Sequence, residues 1–324
     1  MGRLLHSLLT CAAALSWPGA PAHAAPDFPA RNVTLIVPYP AGGGTDLFAR
    51  AIAQQLTSKY GLQVIVDNRS GASGNIGAAA VVRAAADGYT LLYTASTLAL
   101  SRAVYSKLPF DAGRDLQPIT MTASIPQVLV VHPSLPAASV RELIALSKQK
   151  GADLTYSSGG PGSAGHFAME LFKLRTAARM HHIPYRGAAP ALTALISGEV
   201  QTAFLVPTLV QAQLQAKKLR ALGIASRQRS AVLPGVPTIE EQGVRDFEAL
   251  QWHGLFAPAK TPPTIVETLY KDVNSALKAP EVSRRLAGEG AEIVGSTPQA
   301  FAAYFRSELA KWSDVAQRAR MRMD

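Results

Sequence analysis

The chain has 324 residues, a length that allows two lobes with separate hydrophobic cores. Its apolar content of 48% and charged content of 17% are those of an ordinary globular protein and exclude a disordered chain. A formal net charge of +10 favours anionic ligands, but no lysine or arginine run resembles a nucleic-acid-binding arm, so no nucleic acid partner is predicted.

The first 24 residues have the three-part pattern of an export signal peptide. Arg3 supplies the positive start, Leu4 to Leu15 is mostly apolar, and Ala22-His23-Ala24 is a small-residue cleavage site. The apolar stretch is too short for a spanning helix. The only cysteine, Cys11, lies inside this segment, so we predict an exported mature chain, cleaved near Ala24, that has no disulfide.

A glycine turn follows the first predicted strand. Residues 33–37 are an apolar run, residues 38–46 read P-Y-P-A-G-G-G-T-D, and an apolar stripe from Phe48 to Leu56 has helical spacing. Uncovered backbone N–H groups and the positive end of the helix together predict an anion site. Thr45 can either cap this helix or donate its hydroxyl to a ligand.

The strand–loop–helix unit repeats along the first third of the chain. Strands begin near residues 33, 63 and 90, and this spacing predicts a parallel sheet. Ligands of such sheets bind at the carboxyl ends of the strands. Three small, polar loops fall at that edge, namely residues 38–46, 70–77 and 94–97.

The same unit appears again in the second half. A strand at residues 154–156 leads into a loop of small residues, 157–166, and then a helix with an apolar face. Residues 184–188 precede a further helix. Additional strands are predicted at residues 128–131, 200–205, 220–225 and 250–257.

Three helices are predicted to finish the chain. The last begins at Pro298, with Thr297 as its cap, and carries an aromatic stripe that indicates core packing. No further strands are predicted beside these helices, so they should pack against the first predicted sheet. We therefore predict a discontinuous lobe one, residues 25–123 plus 248–324, with lobe two at residues 124–247.

A dinucleotide-binding enzyme is the main alternative. Gly42 and Gly44 match the start of G-x-G-x-x-G, and Asp67 ends the second strand as a ribose-binding acid would. Leu47 occupies the third glycine position, however, so the fingerprint is incomplete. No G-x-S-x-G nucleophile motif occurs, and His166 with Glu170 lacks a third metal ligand. The sequence predicts no enzyme, catalytic residue, metal or cofactor.

Over nearly the whole mature part, the chain resembles the substrate-binding receptors of tripartite tricarboxylate transporters, often called Bug receptors. The matching segments are Val37–Pro40, Gly42–Asp46, Asp67–Arg69, Gly74–Gly77, Asp87–Leu92, Leu108–Asp111, Val130–Pro136, Pro184–Gly187 and Leu233–Thr238. The resemblance implies an α/β, two-lobe periplasmic binding protein, type II-like. Each lobe would be a mainly parallel sheet flanked by helices, and a ligand cleft would lie between the lobes.

The resemblance also implies a monomeric receptor that closes like a hinge on a small organic carboxylate and delivers it to the transporter's membrane subunits. An orphan ligand-sensing protein without a transporter remains an alternative. The lobe-one positions implied are Tyr39, Gly43, Gly44, Thr45, Asp46, Ser73, Asn75, Thr94, Ser96 and Thr97. Those of lobe two are Ser158, Gly159, His166, Tyr185 and Arg186.

One departure from the family pattern concerns the ligand. An Asp followed by Asn or Ser usually comes after the position of Phe204, and here Leu205 and Val206 stand there. A buried ammonium group without a partner is costly, so an amino acid should be rejected at this wall. We therefore add Leu205 to the site and predict an acid with an apolar body, rather than aspartate, glutamate or citrate. Arg186 is the candidate residue for binding a second anionic group of the ligand.

Overall fold

The computed structural model describes residues 28–323, so the predicted signal peptide lies outside the described residues. None of the helices within that range is both long enough and apolar enough to span a membrane. The strands are β1 (Val33–Val37), β2 (Val64–Asn68), β3 (Thr90–Ala95), β4 (Leu116–Pro126), β5 (Val128–Val131), β6 (Thr155–Ser158), β7 (His181–Pro184), β8 (Thr202–Leu205), β9 (Arg220–Ile224), β10 (Leu250–Pro258) and β11 (Glu292–Ile293).

The helices alternate with these strands. They are α1 (Gly44–Tyr60), α2 (Asn75–Val82), α3 (Thr97–Val104), α4 (Ala112–Asp115), α5 (Val140–Ser147), α6 (Ala164–Thr176), α7 (Ala188–Ile196), α8 (Pro207–Gln215), α9 (Pro263–Leu277), α10 (Pro280–Gly288) and α11 (Pro298–Arg318). Pro207 follows β8 and begins α8, because proline at the first helical position has no N–H that the helix would use.

The first sheet has the strand order β11-β4-β10-β3-β1-β2. β1 runs parallel to β2 and β3, as the repeat spacing predicts. β10 runs antiparallel to β3 and β4, and β11 antiparallel to β4. The sheet is therefore mixed: β1, β2, β3 and β4 share one direction, as a mainly parallel sheet requires, and β10 and β11 run the other way. β10 begins at the end of the sheet where β4 finishes, so the two strands must run in opposite directions.

The second sheet has the order β7-β6-β8-β5-β9 and is also mixed. β6 is parallel to β7 and β8, whereas β5 is antiparallel to β8 and β9. The cause is the same. β5 continues from β4 after one residue, so it enters the second sheet from one end, whereas the strands that follow a helix enter it from the other end.

The last helix packs against the first sheet. α11 contacts β4 and α3, and it also reaches α6 of the second half. Phe301 and Phe305 of α11 pack on Trp252 and Phe256 of β10, with ring centroids 5.0 to 5.8 Å apart. The aromatic stripe predicted for this helix is thus core, and it covers the strand that returns from the second sheet.

Candidate functional site

A cavity of about 380 Å³ lies where the carboxyl edges of the two sheets face each other. The first half contributes the turn after β1, the end of β3 and the start of β10, and the second contributes the turns after β6, β7 and β8. The lining residues are Tyr39, Thr45, Ala95, Ser96, Thr97, Gln127, Gly159, Ser163, Ala164, Gly165, Gly187, Ala188, Phe204, Leu205, Val206, Leu209 and Gln251. None of these residues carries a charge.

Five helices begin at this cavity. The first turns or caps of α1, α3, α6, α7 and α8 all contribute lining residues. The first turn of a helix has N–H groups without intrahelical partners and carries a partial positive charge. The cavity therefore favours an anion through backbone groups, because none of the lining residues among 28–323 is basic.

Tyr39 stabilises the side of the cavity that the first sheet forms. Its hydroxyl hydrogen-bonds with the hydroxyl of Thr94 at 2.9 Å and with that of Thr97, and it accepts from the Ala95 N–H at 3.3 Å. Burial raises the pKa of Tyr39, so the ring stays neutral. The turn after β1 is thereby fixed to the end of β3.

Thr45 and Asp46, two neighbouring residues that the sequence analysis placed in the site, have different roles in the structure. Gly43, not Thr45, is the cap of α1, and Thr45 is the second helical residue and lines the cavity. The Asp46 carboxylate accepts from the Gly42 N–H at 2.8 Å and from Arg50 and Asn68 at 2.9 Å each. Burial raises the pKa of Asp46, but these hydrogen bonds outweigh it and the net pKa is lowered. Asp46 therefore holds the turn together as a carboxylate.

A stacked pair of histidines supports the loop that follows β6. The rings of His166 and His182 lie 4.0 Å apart, and His182 Nε2 hydrogen-bonds with Ser158 Oγ at 2.7 Å. The Gly162 N–H donates to His166 Nδ1 at 3.2 Å. Burial, followed by the neighbouring His182, lowers the pKa of His166 to about 4. The predicted residues His166 and Ser158 thus shape the loop and do not line the cavity.

Six of the predicted site residues are brought together in the cavity lining: Tyr39, Thr45, Ser96, Thr97, Gly159 and Leu205. Ser73 lies in an adjoining cavity of about 310 Å³, which shares Tyr39 and Thr97 with the first.

The remaining predicted residues lie outside the lining of the main cavity: Gly43, Gly44, Asp46, Asn75, Thr94, Ser158, His166, Tyr185 and Arg186. Other contacts occupy several of them. The Tyr185 hydroxyl donates to Glu199 at 2.7 Å, and the Asn75 side-chain oxygen accepts from Ser101 Oγ at 3.0 Å. The Arg186 side chain is exposed.

The sequence missed the two glutamines of the lining, Gln127 and Gln251. Each is flanked by apolar strand residues, and a lone glutamine in such a run carries no local signal for a site. It also missed the small residues Ser163–Gly165 and Gly187–Ala188, although both segments lie in loops that the sequence analysis singled out. Phe204 and Leu209 complete the wall formed by Leu205 and Val206.

Comparison with known proteins gives consistent matches. The family model described as "Tripartite tricarboxylate transporter family receptor", TctC, matches residues 48–321. BugT of Bordetella pertussis is 37% identical over 292 residues, which are 90% of this chain and 90% of BugT.

Two solved structures carry bound acids. Rpa4515 of R. palustris, solved with adipate, is 37% identical, covers 91% of this chain and 99% of its own, and has a TM-score of 0.74. MatC of Rhodopseudomonas palustris, solved with bound malate, is 31% identical, covers 89% of this chain and 99% of its own, and has a TM-score of 0.71.

Proposed function

The chain belongs to the tripartite tricarboxylate transporter receptor family, and we propose that it captures a small organic carboxylate in the periplasm and delivers it to the membrane subunits of such a transporter. The observation that carries the proposal is the cavity between the two sheets, where five helices begin and no lining side chain is charged. A carboxylate is an anion that backbone N–H groups and hydroxyls can hold.

The two lobes of the receptor are proposed to be residues 25–123 plus 248–324 and residues 124–247. The chain crosses between the sheets at Gln127 and again before β10, so these crossings would serve as the hinge. Closure would bring the lobe-two loops onto a ligand already held by Tyr39, Thr45, Ser96 and Thr97. The receptor would act as a monomer and would bind its ligand without chemical change.

The ligand is proposed to be an acid with an apolar body. Phe204, Leu205, Val206 and Leu209 line the cavity at the end of β8 and the start of α8, and none of them has a hydrogen-bonding side chain. Adipate, bound by one relative, has such a body, a chain of four methylene groups. An α-ammonium group against this wall would lose its water without gaining a partner, which costs several kcal/mol.

A melting experiment tests the proposal against the dinucleotide alternative. The mature protein is heated alone and with adipate, malate, hexanoate, benzoate or NAD. A ligand at about 100 times its Kd should add about 2.7 kcal/mol of stability. At least one carboxylate should raise the melting temperature. Stabilisation by NAD and by none of the four acids would overturn the proposal.

Matched ligand pairs test the apolar wall. Calorimetry compares adipate with 2-aminoadipate, which differ only by the α-ammonium group. Adipate should bind at least tenfold more tightly, because the wall offers that group no acceptor. Tighter binding of the amino form would contradict the predicted ligand class while leaving the receptor assignment intact.

A further inference from the structure

Gln127 is the single residue between β4 and β5, and its side chain lines the cavity. Its backbone N–H donates to the Ala249 carbonyl oxygen at 3.2 Å, and its own carbonyl oxygen accepts from the Ala225 N–H at 2.8 Å. Ala225 follows β9 and Ala249 precedes β10. The backbone of Gln127 therefore joins the segments that cross between the two sheets.

The side chain of Gln127 is buried without a hydrogen-bond partner for its amide nitrogen. The residue is 2% exposed, and Nε2 has no partner among residues 28–323. Ser96, which is 1% exposed, has an unpartnered Oγ in the same lining. An unsatisfied buried polar group costs about 1–3 kcal/mol. Both groups belong to residues that line one cavity, so a ligand that reaches them can supply the missing hydrogen bonds.

Ser96, Gln251 and Gln127 form a row of neutral polar side chains, which we call the hinge row. Ser96 follows β3, Gln251 is the second residue of β10, and Gln127 follows β4. β10 lies between β3 and β4 in the sheet, and neighbouring strands are about 4.8 Å apart. β3 and β4 are both antiparallel to β10, so their carboxyl ends meet at the same edge. Three adjacent strands therefore present polar side chains to the cavity at the crossing between the lobes.

We propose that Gln127 is a specificity-determining ligand contact carried by the hinge itself: its amide nitrogen donates a hydrogen bond to an oxygen of the bound organic carboxylate. The inference rests on the proposed function and adds to it a residue outside the loops of either lobe. An N–H₂ group donates and does not accept hydrogen bonds, so its partner on the ligand is an oxygen. Because its backbone is tied to the crossing segments, this contact lies at the hinge and not on a loop of either lobe.

Two variants at position 127 test the inference. Gln127→Leu removes the donor and keeps an apolar side chain of similar size, and Gln127→Glu keeps the shape but replaces the donor with a negatively charged acceptor. Binding of the tightest of adipate, malate, hexanoate and benzoate is measured by calorimetry. We expect at least a tenfold loss of affinity for Gln127→Leu and a greater loss for Gln127→Glu, because its carboxylate repels the ligand.

The melting temperature of the ligand-free variants separates ligand contact from structural support. Replacing an unpaired buried donor with an apolar group relieves its cost, so Gln127→Leu should melt at the wild-type temperature or above it. Gln54→Glu is the matched control, since Gln54 is an exposed residue of α1 and takes the same change of charge. Its affinity should equal that of the wild type.

Each outcome assigns the failure to one claim. If the wild type binds an acid and Gln127→Leu binds it equally well, the inference is overturned and the receptor function stands. A lower melting temperature of ligand-free Gln127→Leu with unchanged affinity would make Gln127 a structural residue, which also overturns the inference. If the wild type binds none of the four acids, the proposed function fails and the inference falls with it.

Discussion

Thr45 and Asp46 are neighbours in sequence, and the structure separates their roles. Thr45 lines the cavity, whereas the Asp46 carboxylate is saturated by the turn that it holds. Successive residues on a helix point about 100° apart, so one can face the cleft while the next faces the body of the lobe. A substitution at each position should therefore change a different property.

Thr45→Ala should weaken ligand binding and barely change the stability of the ligand-free protein. A hydroxyl bonded to a carboxylate contributes about 1.5–3 kcal/mol, which corresponds to roughly a tenfold or greater loss of affinity. The unfolding free energy should fall by less than about 0.5 kcal/mol, because Gly43 is the cap of α1 and the Thr45 hydroxyl does not cap it. Calorimetry with adipate and urea unfolding measure the two effects, and an unchanged Kd would remove Thr45 from the proposed site.

Asp46→Asn should destabilise the fold. The variant loses the charge on an acceptor of three hydrogen bonds, and we expect a decrease in unfolding free energy of about 2 kcal/mol. Asp314→Asn is the control, because Asp314 is an exposed partner of Arg318 on α11 and such pairs contribute about 0.5 kcal/mol or less. Urea unfolding at pH 7 compares them. Equal effects of the two substitutions would show that Asp46 does not hold the turn.

The packing of α11 depends on its aromatic contacts with β10. Phe301 is fully buried and packs edge-on against Trp252. Phe301→Ala should lower the unfolding free energy by about 3–5 kcal/mol, because a large cavity remains in a closely packed core. Gln299→Ala, an exposed position on the same helix, should change it by less than about 0.5 kcal/mol. A loss below about 1 kcal/mol for Phe301→Ala would contradict this packing.

The sequence predicted the local units and the parallel strands β1, β2 and β3, but it did not predict the antiparallel strands. The turn after β1 and the loops at residues 70–77 and 94–97 follow from glycine content and spacing, which are local signals. The antiparallel course of β10 depends on where the chain returns from the other sheet, about 120 residues after β4, and no local pattern records this. Gln127 was missed for a related reason, since its position at the crossing follows from the partners Ala225 and Ala249.

The whole molecule should lose stability as the pH falls from 7 to 5. Burial lowers the pKa of His253 to about 4 and that of His166 to about 4, and it also lowers the pKa of His182. An unfolded histidine has a pKa of about 6.5, so below that pH the unfolded chain binds protons that the folded chain does not. The loss begins near pH 6.5 and is complete near pH 4. His253 alone should account for about 2 kcal/mol between pH 7 and pH 5.

His253→Leu isolates one of these contributions. Both ring nitrogens of His253 lack partners among residues 28–323, and the ring lies against Phe48 with centroids 4.9 Å apart. The variant should show a shallower fall of unfolding free energy between pH 7 and pH 5 and equal or greater stability at pH 8. Urea unfolding across this range measures both. A slope identical to that of the wild type would show that His253 binds its proton in the folded state.

The convergence of five helix starts has a consequence for how such a receptor can diversify. Main-chain N–H groups supply the attraction for an anion. Nearly every side-chain replacement preserves this attraction, since each substitution leaves the N–H groups in place. The side chains that line the cavity can then change. Leu205 and Val206 can be exchanged for other residues while the main-chain groups still bind a carboxylate. A mutational library restricted to the apolar wall should consequently yield receptors with altered preference and few that bind no acid at all.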